Sequence, residues 1–209
     1  MDERTRRIVD AATALAEKGG FEAVRLRDVA AQSGVALGTL YRRFRSKEDL
    51  LLAALELAMR EYEARFYAVP PEGATALLRV DAFFAGYTAT LCRRPNLARA
   101  LVRAIASGAP ELTLRVAAFH ARTEGWITAS LRGGTRDGAP PSEREHSLAS
   151  SLLLVWFASL TGWASGLHDV GEIVADTHSA AELILGGSAR IESSASEDNF
   201  GLPPQREHV

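Results

Sequence analysis

The stretch from Leu26 to Leu50, LRDVAAQSGVALGTLYRRFRSKEDL, decides the fold of this 209-residue chain. Its apolar residues recur at helical spacing in two segments of about two turns each, separated by a turn at Ser33-Gly34. Two short helices joined by a glycine-containing turn are typical of a helix-turn-helix motif. The stretch therefore predicts this motif, with supporting helices on either side.

The second helix of the motif has the features needed to enter the major groove of DNA. The segment 36–39 (Ala-Leu-Gly-Thr) provides a short leading edge, mostly of small residues, that lets the backbone approach bases and phosphates. Leu40 and Phe44 lie four residues apart and are expected to pack inward against Val29. The outer face then carries donors suited to phosphate oxygens and base edges: Thr39, Tyr41, Arg42 and Arg43.

Each of these residues also has a simpler interpretation. Arg42-Arg43 taken alone would be a solvated helix face, and Tyr41 alone would be a core aromatic side chain. The combination with Gly34, the helix spacing and Lys47, which stands beside a helix N-terminus that attracts phosphate, favours DNA contact.

Helical spacing continues on both sides of the motif. The first helix is predicted to end at Lys18-Gly19-Gly20, which supplies a cation and a left-handed stop. Ser46-Lys47-Glu48-Asp49 predicts the N-cap of a long helix that ends before Pro70-Pro71. No strand-like alternation appears, so the expected fold class is all-α with about nine helices. The later helices are expected at about 74–93, 95–107, 110–132, 142–167 and 170–186.

Composition and charge limit the possible functions. A hydrophobic content of 47% and a charged content of 24% are ordinary for a soluble globular protein. Residues 1–47 hold ten Lys and Arg against six Asp and Glu, a net charge of +4, whereas residues 48–209 hold fourteen against twenty, a net charge of −6. Affinity for phosphate is therefore expected at the N-terminus.

Several other kinds of site find no support in the sequence. The single cysteine, Cys92, excludes an intramolecular disulfide and a multi-thiolate zinc site, and it is interpreted as a small buried apolar residue. The five histidines show no metal-ligand spacing, and no nucleophile elbow, P-loop or GxGxxG motif is present, so no metal, cofactor or catalytic residue is expected. The segment 148–163 is too short and too serine-rich for a membrane span, and no secretory signal is seen, which predicts a cytoplasmic protein.

The N-terminal segment resembles the DNA-binding domain of the TetR family of regulators. The resemblance covers about residues 5–55 and is carried by Ile8, Ala11, Ala12, Leu15, Gly19, Phe21, Val29, Ala30, Ser33, Gly34, Val35, Gly38, Thr39, Leu40, Tyr41, Phe44, Lys47 and Leu50. It implies a helix-turn-helix DNA-binding domain over residues 1–50 and a ligand-binding and dimerisation domain over 51–186. The composition of the tail from 187 to 209 has too little apolar content to pack, so the tail is expected to be disordered.

The same resemblance assigns roles to individual residues. Thr39, Tyr41 and Lys47 correspond to positions that clamp the DNA backbone. Gly38 belongs to the leading edge. Leu37 is apolar at a position where a polar side chain would read a base, so it is expected to contact a thymine methyl group if it reads a base. The positions expected to touch bases or neighbouring phosphates are Arg27, Leu37, Arg42 and Arg43.

The family resemblance also implies a homodimer formed by the last two long helices. Apolar residues at spacings of three and four between 149 and 167 form a seam of the kind that helices bury against one another, although the core of a single chain would explain the same pattern. Two-fold symmetry would require a palindromic DNA operator. The predicted interface residues are Leu153, Trp156, Leu160, Trp163, Ile173, Ala180 and Ile184.

The middle helices carry aromatic residues that would line an apolar pocket, and core packing explains them equally well. The segment 91–105 and the tryptophans of the later helix are similar to TetR-type regulators of steroid and cholesterol catabolism. This similarity implies a large hydrophobic effector, sterol-derived or a fatty acyl thioester, whose anionic end would meet Arg93, Arg94, Arg99 or Arg103. The predicted pocket residues are Phe83, Phe84, Tyr87, Leu91, Phe119 and Trp126.

The resulting hypothesis is a repressor that binds double-stranded DNA as a homodimer and is released by its ligand. A regulator whose ligand promotes DNA binding, or an activator, would use the same parts with the opposite sign. A helical lipid-binding module without DNA binding is the alternative from a different class. An enzyme finds no supporting motif in the sequence.

Overall fold

The computed structural model describes residues 1–134 and 139–197 of the chain, and side chains through Gly186. Over these residues it contains nine α-helices, one 3₁₀ turn at Pro110–Leu112 and no strand, which confirms the predicted all-α fold. The helices are α1 (Glu3–Ala23), α2 (Leu26–Ser33), α3 (Leu37–Arg43), α4 (Lys47–Ala68), α5 (Ala76–Cys92), α6 (Pro95–Ile105), α7 (Thr113–Leu131), α8 (Glu143–Ala164) and α9 (Val170–Glu197).

The first helix is capped at its start and interrupted where the sequence predicted its end. The Asp2 carboxylate accepts the backbone N–H of Thr5 at 2.8 Å and so satisfies one of the free donors of the first turn. Gly19 and Gly20 leave the helical conformation, and Gly20 has a φ of 68°, which favours glycine. One further turn then carries the chain to Ala23.

The helix-turn-helix forms as predicted. Gly34 ends α2 in the left-handed conformation, with φ 68° and ψ 31°, and Ala36 is extended before α3 begins. Leu40, Phe44 and Val29 are almost completely buried, so these side chains fix α3 against the core of the domain. The polar face of α3 is turned outward.

The fourth helix joins the two parts of the molecule without a break. The Ser46 hydroxyl accepts the backbone N–H of Asp49 at 3.1 Å, as the predicted N-cap requires. The helix crosses the predicted domain boundary at residues 50 and 51 and continues to Ala68, so it ends before Pro70-Pro71 as predicted. It packs against α1, α6 and α7.

The remaining helices form a bundle in which α5, α7, α8 and α9 pack side by side, while α6 lies against α1 and α4. The core contains a cluster of rings from α4, α5, α7 and α8. Tyr87 stacks on Trp156 with ring centroids 5.1 Å apart, and the Trp156 Nε1–H donates to the Thr88 hydroxyl at 2.9 Å. This cluster joins the four helices into one core.

The predicted interface seam on α8 belongs to this core. Within a single chain, Trp156 is completely buried, and the other four members that the core contains are at most 4% exposed. The assignment of these five side chains to an interface is therefore corrected, because helical periodicity marks a buried face without saying what covers it. The five are Leu153, Trp156, Leu160, Trp163 and Ile173.

α8 is long and apolar enough to cross a membrane by length and composition. Five of its bulky apolar side chains are nevertheless buried inside the chain, as in a core helix, whereas Leu154 is exposed; the five are Leu152, Leu153, Trp156, Leu160 and Trp163. α9 continues to Glu197 instead of ending at 186, so the first part of the predicted disordered tail is helical. Residues 198–209 of the predicted tail lie outside the described residues.

Candidate nucleic-acid interface

The exposed face of α3 is the centre of the candidate interface. Tyr41 is 54% exposed although it is a large aromatic residue, and no hydrogen bond to its hydroxyl holds it within the described part of the chain. Arg42 is exposed, and its Nη2 donates to the Thr39 hydroxyl at 3.2 Å, which orders both side chains on the same face. A phenol, a hydroxyl and a guanidinium on one exposed surface can donate to phosphate oxygens and base edges.

Gly38 stands at the leading edge of this helix, and its own chain does not require a glycine there. A Cβ atom at this position would meet nothing within 4 Å, and Gly38 has no positive φ. A glycine at such a place leaves room for the close approach of a molecule outside the chain. Leu37, one residue earlier, is half-buried and packs against the core, so only part of its side chain faces outward.

Two predicted contact residues lie beside carboxylates. Arg43 forms an ion pair with Asp2, with Nη2 and Oδ2 2.7 Å apart, and also donates to the Thr5 hydroxyl. Lys47 Nζ lies 3.2 Å from Glu22 Oε2. In contrast, Arg27 is exposed and forms no ion pair with any residue that the structure describes.

The surroundings of Lys47 connect the candidate interface with the second domain. Lys47 Nζ lies 3.9 Å from the centre of the Phe21 ring, and the Arg103 guanidinium of α6 lies 4.2 Å from the same ring. Arg103 also pairs with Glu22 at 2.9 Å. The hydrogen bond and the positive charge of Lys47 are the main causes that lower the pKa of Glu22, so this carboxylate is ionised at neutral pH.

The sequence prediction missed Asp2, Glu22 and Arg103 as members of this surface. They lie 41, 25 and 56 positions from the interface residues Arg43 and Lys47 to which they are linked, directly or through Glu22. Ion pairs between residues so far apart in sequence leave no local spacing pattern. Only the folded arrangement of α1, α4 and α6 brings them together.

The predicted ligand-pocket residues separate into two groups. Phe83, Phe84, Phe119 and Trp126 are at most 4% exposed and belong to the closed aromatic core, as the alternative interpretation had it. A cavity of about 310 Å³ lies beside this core, between α1, α4, α5 and α6. Two of the predicted residues line it, namely Tyr87 and Leu91.

This cavity has an apolar floor and a polar rim. Leu55, Met59 and Leu101 contribute to the floor, and burial raises the pKa of Tyr62 to about 12, so that its phenol stays neutral. Burial also raises the pKa of Tyr87. The charged lining residues are Arg6, Asp10, Glu61, Arg65 and Arg94.

The four arginines proposed for an anionic ligand end have different positions. Arg94 lines the cavity and pairs with Glu17 of α1. Arg99 lies 4.7 Å above the Trp163 ring, and both Arg99 and Arg103 line a separate, more open groove of about 620 Å³ between α1, α6 and α8. Arg93 is exposed and lines neither space. Arg94 is therefore the one of the four that the structure brings to the cavity.

An exposed polar helix on a three-helix domain is joined by one continuous helix to a cavity-bearing bundle, an architecture typical of helical transcriptional regulators. The family model described as bacterial regulatory proteins, tetR family, matches residues 8–54, and the model described as tetracyclin repressor-like, C-terminal domain, matches residues 73–184. The chain belongs to the TetR family, as the sequence resemblance implied. This family consists of transcriptional regulators, which are not enzymes.

The chain is similar to the HTH-type transcriptional repressor KstR of Rhodococcus jostii, with 32% identity over 192 residues that cover 90% of this chain and 85% of the relative. Its fold is similar to that of a TetR transcriptional regulator from Rhodococcus sp. RHA1, with a TM-score of 0.75, 24% identity and coverage of 87% and 94%. It is also similar to the fold of the regulator FadR from Bacillus subtilis in complex with stearoyl-CoA, with a TM-score of 0.60, 23% identity and coverage of 87% and 98%.

Proposed function

We propose that the chain is a cytoplasmic, homodimeric repressor that binds a palindromic DNA operator through α3 and releases it when a hydrophobic ligand with an anionic end binds. The observation that carries the DNA-binding part is the face of α3. Tyr41 and Arg42 are exposed on it, while Leu40 beneath is fully buried. The packing therefore fixes the orientation of this helix and leaves its hydrogen-bond donors free for DNA.

Four groups are assigned to phosphates and four to the reading of bases or their immediate surroundings. Thr39, Tyr41 and Lys47 are proposed to hold the DNA backbone, and Gly38 lets the helix approach it. Because Arg27 and Arg42 have no carboxylate partner among the described residues, they are the stronger candidates for base contact. Arg43 and Leu37 complete the assignment.

The dimer is proposed to form through faces of α8 and α9 that the single chain leaves exposed. Leu154 is 61% exposed on α8, and Leu183 is 77% exposed on α9. Ala180 and Ile184, which were predicted for the interface, are half-buried on α9. Exposed leucines on two adjacent helices are apolar side chains that a two-fold interface would bury.

The dimer can be tested by placing charges on this face. We expect Leu154→Glu combined with Leu183→Glu to convert a dimer into a folded monomer, because two charges per chain would be buried without partners. Light scattering after size-exclusion chromatography measures the mass. Leu167→Glu is the matched control, since Leu167 is 81% exposed in the turn between the helices. A mass that stays dimeric in the double variant would contradict the proposed face.

The ligand is proposed to bind in the 310 Å³ cavity, with its apolar part on the floor and its anionic end at Arg65 or Arg94. The volume is at the lower end of the range for ligand sites, about 300–1,000 Å³. FadR of Bacillus subtilis, a similar fold, is described in complex with stearoyl-CoA. A fatty acyl thioester or a sterol-derived thioester is therefore the proposed class.

The position of the cavity gives a physical route from ligand to DNA. α4 contributes Met59 and Tyr62 to the cavity and begins at Lys47. The fifteen residues between Lys47 and Tyr62 span about 22 Å at 1.5 Å per residue. α1 also reaches the cavity with Arg6 and Asp10, so a ligand would contact the DNA-binding domain directly. A ligand that prefers another arrangement of α1 and α4 would lower operator affinity by its differential affinity for the two states.

The ligand site can be tested by filling the cavity. We expect Ala58→Trp to abolish binding of stearoyl-CoA and its effect on DNA retardation, because Ala58 lines the cavity from an exposed position on α4. Ala64→Trp is the matched control, since Ala64 is exposed on the same helix and does not line the cavity. Unchanged binding of stearoyl-CoA by Ala58→Trp would show that the ligand binds outside this cavity. Stronger DNA binding in the presence of the ligand would show that the ligand promotes operator binding instead of releasing it.

A further inference from the structure

We infer that Asp2 and Glu22 act as internal counterions of the DNA-binding surface, which DNA phosphates must displace from Arg43 and Lys47. This inference rests on the proposed DNA contacts of the two cations. It assigns to Asp2 and Glu22 a role in setting the affinity for DNA and its dependence on salt.

The two ion pairs have the same construction on opposite sides of the motif. Arg43, the last residue of α3, is paired with Asp2 at 2.7 Å, immediately before α1. Lys47, the first residue of α4, is paired with Glu22 at 3.2 Å, near the end of α1. The two ends of α1 therefore each supply one carboxylate to a cation of the DNA-binding surface.

Both carboxylates are held in place by further contacts. Asp2 accepts the N–H of Thr5 at 2.8 Å and its hydroxyl at 2.9 Å, and the N–H contact is the main reason that the pKa of Asp2 is lowered to about 2. Glu22 is shared between Lys47 and Arg103, whose side chains both contact the Phe21 ring. A carboxylate fixed in this way remains near its cation when solvent ions exchange.

The exposure of these groups limits the size of the effect. The side chains of Arg43 and Asp2 are 39% and 52% exposed, and those of Lys47 and Glu22 are 27% and 69% exposed. Exposed pairs are weak, so each carboxylate is expected to lower DNA affinity by about two- to fivefold. DNA can therefore displace them.

The dependence on salt distinguishes an internal counterion from a general repulsion. Each cation that neutralises a phosphate normally contributes about 0.9 to the slope of log K against log salt, because ions condensed on the DNA are released. When the cation must first leave a carboxylate, the freed carboxylate attracts cations from solution and offsets part of that release. Removal of the carboxylate should make the slope steeper, by up to about 0.9 for each pair.

Arg103 is a second cationic partner of Glu22. When Lys47 turns to a phosphate, Glu22 keeps Arg103 as a partner, which reduces the loss on releasing Lys47. Arg103→Gln should therefore weaken DNA binding by about twofold in the wild-type background and have no such effect together with Glu22→Gln. Arg99→Gln, one turn earlier on α6, serves as the charge-matched control. Equal losses of DNA affinity in both backgrounds would show that Arg103 does not assist the release of Lys47 from Glu22.

The test uses the full chain and a fluorescent random-sequence DNA duplex, titrated by anisotropy between about 50 and 200 mM salt. Asp2→Asn keeps a helix-capping side chain, and Glu22→Gln keeps the length of the side chain. Glu3→Gln and Glu48→Gln change the net charge equally at adjacent positions, and neither glutamate forms an ion pair with a residue that the structure describes.

We expect tighter binding and a steeper salt slope in Asp2→Asn and Glu22→Gln than in the two controls, and additive effects in the double variant. Affinities and slopes equal to those of the controls, with a wild type that binds DNA, would overturn the inference and leave the proposed function intact. Absence of DNA binding by every form would contradict the proposed function and the inference together. Circular dichroism of each variant checks that the helices are retained.

Discussion

The outer face of α3 and the inner face of α8 carry equally clear helical patterns. The polar face of α3 is exposed, whereas the apolar face of α8 is buried. On α3 the pattern leaves Tyr41 half exposed and Arg42 exposed, with Leu40 buried below. On α8 it sends Trp156 and Trp163 into the core of a single chain. Periodicity therefore tells which face of a helix is covered, and only the fold tells whether the cover is the same chain, a second copy or a ligand.

The largest expected effect separates the core from an interface on α8. We expect Trp156→Ala to lower the free energy of unfolding by about 3–5 kcal/mol, because it removes a buried ring and leaves the Thr88 hydroxyl without its donor. Urea denaturation measures this change. A variant that becomes monomeric with little loss of stability would show that Trp156 covers an interface.

The next effect tests the exposed face of α3. We expect Tyr41→Ala to weaken DNA binding by about ten- to a hundredfold, which is the loss of one hydrogen bond to a charged phosphate. The thermal unfolding midpoint should hardly change, since Tyr41 is 54% exposed. Anisotropy and a melting curve on the same sample give both values. A large loss of stability with unchanged DNA affinity would make Tyr41 a core residue.

A third comparison uses two glycines of the motif. Gly34→Ala should lower the free energy of unfolding by about 1–2 kcal/mol, because an alanine is strained at φ 68°. Gly38→Ala should leave stability unchanged or slightly raised, since a Cβ atom meets nothing there, but it should weaken DNA binding. If Gly38→Ala destabilises the chain and spares DNA binding, the small residue serves the fold.

The smallest effect concerns the start of α8. Hydrogen bonds from Arg132 and from Ser142 lower the pKa of Glu145 to about 2, below its ordinary value of 4.5. A lowered pKa contributes stability that is present above the ordinary value and is lost as the pH falls towards about 2. We expect Glu145→Gln to be less stable than the wild type at pH 7, with the difference vanishing near pH 2. A difference that persists at pH 2 would exclude ionisation of Glu145 as its cause.

The sequence predicted the local structure of the N-terminal domain almost completely. Caps, glycines and apolar spacing act within a few residues, so Ser46, Gly20 and Gly34 could be assigned their roles without a structure. The polar partners of the site could not be predicted, because Glu22 and Arg103 reach Lys47 only through the packing of α1 against α6.

The sequence was less informative about the second domain. Phe83 and Tyr87 stand one turn apart on α5, but one belongs to the closed core and the other borders the cavity. Small differences in the placement of helices decide such assignments, and they follow from the summed packing of the bundle. The burial of the apolar seam of α8 within a single chain also follows from the packing of the whole bundle.

The most direct test of the account is a selection of bound sequences from random duplex DNA with the full chain, repeated in the presence of stearoyl-CoA. We expect enrichment of a palindrome whose half-sites are separated by about one helical turn or a multiple of it. Binding to that sequence should be lost on the combined change Tyr41→Ala and Lys47→Ala, and weakened by the ligand. No enriched sequence under either condition would contradict the assignment of α3 as a DNA-recognition helix.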